Sequence, residues 1–275
     1  MSNIGRRRTM VPVVTLVSLV LAGCSSQSEE RPQAANSNGP SVKLNPEINH
    51  LHGLHINADG TVLAGTHTGL FAVEPSGSTS RVGNTDDDLM GMTGVPGTNT
   101  VLSSGHPGRS SDAPNPLGLM ESTDGGQNLT TKSLIGELDF HVLTSNGGII
   151  VGFDGTTGLL VSTDSGTSWT AGASLPTASL AITDAGVWAV TTNGLQLSTD
   201  AARTFSVVPD APPLSVVSAG TDGALWGVDV DGNAWRSRGG RTWQMHSSIG
   251  PVDALTASDY DNAYAATDQS LYALR

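Results

Sequence analysis

Six of the seven histidines in this 275-residue chain, His50, His52, His55, His67, His106 and His141, fall before residue 142, and only His246 lies beyond. Acids are interspersed with and follow them, among them Asp88, Asp139 and Asp154. Imidazole and carboxylate together are the donors that Zn, Ni, Fe or Cu accept, and a thioether such as Met90 would add a soft ligand for Cu(I). No short metal signature joins any of these residues, and the chain has a single Cys. A single His is most often an ordinary hydrogen-bonded residue. Chemistry at these positions therefore depends on a fold that gathers distant residues.

The sequence supplies such a fold through repetition. Ser-Thr-Asp recurs at Ser122, Ser162 and Ser198, and a degenerate Arg236-Ser237-Arg238 follows, at spacings of 40, 36 and 38 residues. A period near 40 with short alternating strands and Gly-containing turns predicts a β-propeller, each period being one four-stranded antiparallel blade. Inner strands align at 51–56, 89–93, 140–144, 179–183, 214–218 and 252–256, which makes six blades. The last has only three candidate strands before the chain stops, and Val42 to Leu44 is the expected closing strand, because a circular fold must hide its edges. The class is all-β. Few charges (14%) and 34 Gly also argue against a helical bundle. The stretch Asp229-Val230-Asp231-Gly232-Asn233 has Gly at the wrong position for a calcium loop and is expected to be a hairpin turn.

Register places the histidines. On the inner strands His52 matches Met90, His141, Leu180, Ser215 and Asp253, with His50, Asp88 and Asp139 two positions earlier. Four residues past the aligned second-strand position come His67, His106, Asp154, Thr192, Val230 and Asp268. The start of an inner strand and the end of a second strand lie at the same end of a propeller, so both columns converge on one face over blades 1 to 3. The insertion Pro107 to Pro116 adds Arg109 and Asp112 there. We expect His52, His67, His106 and His141 to hold one Zn, Cu or Ni ion, with His50, Asp88, Met90, Arg109 and Asp154 as further ligand-binding residues. Were the site catalytic, Asp112, Glu137 or Asp139 would accept the proton. Two rivals remain: a metal-free scaffold docking a protein or envelope polymer, and a glycoside hydrolase.

Ser162-Thr163-Asp164-Ser165-Gly166-Thr167-Ser168-Trp169 resembles the Asp-box, or BNR repeat, of sialidase-like propellers. The other copies depart from it, with Leu129 for Trp, Ala202 for Gly and Arg238 for Asp. The segments around His50 to Leu54, Thr66 to Leu70, Gly105 to Gly108 and Asp139 to His141 resemble a bacterial extracytoplasmic group of Asp-box proteins labelled glycosyl-hydrolase-like. That resemblance implies an envelope location and a glycan as a candidate ligand. A sialidase, however, needs an Arg triad and a Tyr nucleophile. Only Arg109 is well placed for the first, and Tyr260, Tyr264 and Tyr272 all fall in the last blade. Aromatics make up 4% of the chain, which leaves little platform for a sugar ring.

At the N-terminus Arg6, Arg7 and Arg8 precede an apolar run from Val11 to Leu21 that is too short to span a bilayer. It ends in Leu21-Ala22-Gly23-Cys24, which resembles the bacterial lipobox, where the Cys becomes a diacylglycerol-modified first residue. We therefore expect residues 1–23 to be a lipoprotein signal peptide, 24–40 a flexible tether and 41–275 the propeller. The protein would sit at the extracytoplasmic side of the bacterial cell membrane through its lipid, as a monomer, with an envelope protein or glycan as candidate partner. Sec and Tat export both remain open. Loss of residues 1–23 removes three of the 13 basic residues and none of the 25 acids, leaving a net charge of -15. Nucleic acid is excluded as a partner on that charge.

Overall fold

The computed structural model describes residues 41–275. The expected signal peptide, the lipidation site Cys24 and the tether lie outside the described residues. Those described form six four-stranded antiparallel sheets in a ring and no helix. The protein is a six-bladed β-propeller. Blades 1 to 5 span residues 51–82, 88–133, 142–171, 179–207 and 214–248, and within each the strands pair in sequence order from the central channel outward. Blade 6 takes three strands from 254–274 and its outer strand from Ser41–Lys43, with Ser41 opposite Tyr272 and Lys43 opposite Ser270. The closing strand thus sits one residue earlier than expected, because Leu44 turns inward and is 1% exposed. Asp229 to Asn233 is a hairpin turn, its carboxylate accepting the Asp231 and Asn233 N–H groups.

Each sheet is covered on both sides by its neighbours, so alternate residues of one strand enter two different cores. In blade 1, Val62 and Ala64 pack toward blade 6 while Leu63 packs toward blade 2. The six hydrophobic clusters correspond to the six junctions, with Trp188 between blades 4 and 5 and Trp226 between blades 5 and 6. This arrangement explains strands that read as short continuous apolar runs in a chain with few charges.

The Ser-x-Asp turns between third and fourth strands share one hydrogen-bond scheme. Ser162 Oγ accepts the Gly166 N–H at 2.8 Å, and Asp164 Oδ1 accepts the N–H groups of Thr167 and Ser168 at 3.1 and 2.9 Å. Asp200 does the same for Arg203 and Thr204. Trp169 donates its indole N–H to Ser133 of blade 2 at 3.0 Å and packs on Phe140, tying blade 3 to its neighbour. Where the other turns carry Gly at positive φ, Ala202 adopts φ 59° and is fully buried in the core between blades 3 and 4. A Cβ at Gly240 would instead come within 2.1 Å of Trp188. Local room, not turn geometry alone, decides which copy tolerates Ala.

These hydrogen bonds hold the carboxyls acidic. The Ser168 hydroxyl and N–H bring Asp164 down to about 2, and the Ser122 hydroxyl and Asn128 side chain do so for Asp124. A depressed carboxyl contributes stability above its unfolded value, near 3.8, and loses it as pH falls toward the folded value. Asp164→Asn is thus expected to lower the melting temperature at pH 7 by an amount that shrinks between about pH 4 and pH 2. Thermal unfolding against pH measures it, and a constant difference would reject the assignment.

Candidate functional site

His50 opens blade 1 with φ 57°, a left-handed conformation that a non-Gly residue adopts at a cost of about 1 kcal/mol. His52 follows on the inner strand at a register shift between Leu51 and Gly53. Blade 2 has the same irregularity between Asp88 and Gly91, and blade 5 between Leu214 and Val216. Such bulges re-aim side chains at the rims of sheets. His67 sits in a turn fixed by Thr66, whose hydroxyl accepts the Thr68 N–H at 3.1 Å and donates to Gly69 O at 2.9 Å.

The three imidazoles of blade 1 meet. One ring nitrogen from each of His50, His52 and His67 lies within 4.8 Å of the other two, the one such group of three donors among the described residues. Ring centroids are 4.4 to 5.4 Å apart. Asp88 arrives from blade 2, with Oδ2 2.6 Å from His67 Nδ1 and Oδ1 3.6 Å from His52 Nε2. Both His52 Nε2 and Asp88 Oδ1 are buried without a hydrogen-bond partner. Burial, reinforced by His67, pushes the His52 pKa down against the opposing pull of Asp88. Its ring is thereby favoured in the neutral form that ligates metals.

His106 and His141 belong to a second group, centred on Asp139. Their Nε2 atoms lie 3.3 and 3.2 Å from Asp139 Oδ2. The four histidines expected to share one ion thus divide between two carboxylates, and His50 completes the trio of blade 1. On the blade 6 side Asp268 Oδ1 accepts the Leu51 N–H at 2.7 Å. Asp253, pushed up by burial and by Asp268, reaches the mouth of the central channel beside His52 and His141. That channel has a volume of about 130 Å³.

The remaining expected residues serve other ends or stand apart. Asp154 is engaged by its own turn, accepting hydrogen bonds from the N–H groups and hydroxyls of Thr156 and Thr157. These outweigh burial and set its carboxyl at about 2. Arg109, Asp112 and Glu137 are exposed, and Met90 is half-buried. Asp86 receives the Ser110 hydroxyl and Asp87 the Gly108 N–H, so two of three consecutive acids tether the 107–116 insertion while the third faces the histidines. Asn115, which sequence reasoning missed, places Oδ1 2.7 Å from His106 Nδ1. Its signal was the insertion itself, which returns the chain beside the end of the second strand.

No family model matches the chain, and no curated protein matches it in sequence. Solved structures do match. A structure of YCF48 bound to D1 peptide is 16% identical, covering 84% of this chain and 80% of that one, with a TM-score of 0.50. A gluconolactonase from Xanthomonas campestris is 14% identical over 86% of this chain and 98% of its own, with a TM-score of 0.59. A GH74 xyloglucanase from Xanthomonas campestris is 16% identical over 82% of this chain but 43% of its own, with a TM-score of 0.51. The chain therefore spans less than half of the xyloglucanase. At these identities the likeness is one of fold, and it places the chain among the β-propellers.

Proposed function

We propose that the protein is a lipid-anchored propeller of the bacterial envelope, related to Asp-box repeat proteins, that binds a divalent transition-metal ion through His50, His52, His67 and Asp88. The observation that carries this reading is the pair His52 Nε2 and Asp88 Oδ1, buried, unpartnered and 3.6 Å apart. Two ligand atoms each about 2.1 Å from one tetrahedral ion are about 3.4 Å apart. Leaving two such groups buried and unpaired costs about 1–3 kcal/mol each, and a shared cation removes the cost. The trio needs to close by no more than about 1.5 Å to meet one ion. Three imidazoles and a carboxylate suit Zn, Ni or Cu(II).

Asp88 and Asp139 each face two imidazoles, which favours cation chemistry over the two-carboxylate chemistry of a glycoside hydrolase. Titration calorimetry of the purified protein with Zn, Ni and Cu tests the reading. Binding is expected in the wild type and in His246→Ala, in the outer strand of blade 5, whereas His52→Ala with His67→Ala is expected to lose the blade 1 equivalent. Absence of binding by the wild type would leave a metal-free docking scaffold as the better account.

A further inference from the structure

The contact between His67 and Asp88 spans the junction of blades 1 and 2, joining the end of a second strand to the entry of the next inner strand. The identical positions one blade on are His106 and Asp139, and they too are in contact, at 3.3 Å across the junction of blades 2 and 3. We infer that His106, Asp139 and His141 form a second site for the same class of divalent transition ion, an inference that rests on the metal reading of the first.

Each imidazole stands at a ligand's separation from the carboxylate, and because the three donors do not all lie within 4.8 Å of one another, the two half-exposed imidazoles turn toward each other to share the ion. Asp139 Oδ2 faces two Nε2 atoms at 3.2 and 3.3 Å, against about 3.4 Å for neighbouring ligands of a tetrahedral centre. Outer partners hold the donors in place, as metal ligands require. Asn115 Oδ1 engages Nδ1 of His106, which leaves Nε2 directed at Asp139. Ser104 donates to Asp139 Oδ1 at 3.4 Å while accepting the Phe140 N–H at 2.9 Å, which leaves Oδ2 for the histidines. The carboxylate is 12% exposed and the two imidazoles 43% and 48%, so an ion enters from solvent onto a largely buried anion. Three protein donors leave a fourth position for water or an external ligand.

Blade 2 forms the wall between the two sites. Asp88 and His106 are directly opposite across its inner ladder, their Cα atoms about 5 Å apart, yet Asp88 contacts His67 of blade 1 whereas His106 contacts Asp139 at the entry of blade 3. The series stops at blade 3, where Asp154 replaces the histidine and is occupied by Thr156 and Thr157, and where Ala178 stands at the blade 4 position of the aspartate. Two sites, not three, follow from these residues.

Calorimetric titration of the purified full-length protein with Zn or Ni tests this, with melting curves verifying that each variant is folded. Two equivalents are expected in the wild type, one in His52→Ala/His67→Ala, one in His106→Ala/His141→Ala and none in the quadruple variant. Asp139→Asn, which keeps the side-chain shape, is expected to lose the second equivalent without losing the first. One equivalent in the wild type that survives His106→Ala/His141→Ala would overturn the second site and leave the first intact. A single equivalent abolished by either double variant would mean one shared centre and would also overturn it. No binding at all would remove both.

Discussion

Deletion of residues 1–46 is expected to lower the melting temperature by on the order of 10 °C relative to deletion of residues 1–40. The difference isolates a six-residue strap that crosses the junction of blades 6 and 1. Ser41–Lys43 forms the outer ladder of blade 6. Leu44 follows, 1% exposed among Ile48, Leu51, Ala254 and Leu271, and its N–H bonds Gln269 O at 2.8 Å. Asn45 then passes to blade 1, donating to Gly77 O at 2.8 Å and bridging to Ser78. Losing a buried Leu alone costs about 2–5 kcal/mol. The truncation also uncovers the edge of 270–274, an invitation to pairing between molecules. Gly77 is part of the same device: a Cβ there would meet Lys43 O at 2.2 Å. Thermal unfolding of the two truncations measures the effect, and equal melting temperatures would reject the strap as the closure of the ring.

The ring was legible because a blade repeats. The second strand of a blade is buried on both faces, so Val62, Leu63 and Ala64 read as an apolar run although they enter two cores, and the period near 40 marks successive blades. The convergence of two columns on one face was legible for the same reason, since antiparallel pairing alone puts residues such as Leu51 and Thr66 side by side. Which histidine meets which aspartate was not. That depends on the rotation between neighbouring blades, which brings His67 to Asp88 and His106 to Asp139, and a sequence period carries no such angle. The bulge at His52 and the left-handed backbone at His50 were equally hidden, because neither residue type announces them. Asp154 is different: Asp-Gly-Thr-Thr is a sequence whose side chain caps its own turn, and that signal stood against its use as a ligand.

Replacing Cys24 by Ser is expected to move essentially all of the protein from the membrane to the soluble fraction. One acyl chain gives marginal, reversible attachment and two give stable anchoring, so a diacylglycerol on Cys24 would account for membrane binding by itself. With residues 1–23 removed, 10 basic side chains face 25 acidic ones, and an anionic leaflet repels such a chain. No helix among the described residues is long and apolar enough to cross a membrane. Ionic strength then separates lipid from charge. Salt weakens repulsion between like charges, so high salt should not release the wild type, whereas a protein held by basic residues would wash off. Fractionation of both forms in low and high salt makes the comparison, and a Ser variant that stays with membranes in high salt would refute the lipid anchor. Because every donor of both proposed metal sites lies between His50 and His141, the soluble Ser variant should bind metal as the wild type does. Anchoring and metal binding are thereby tested separately.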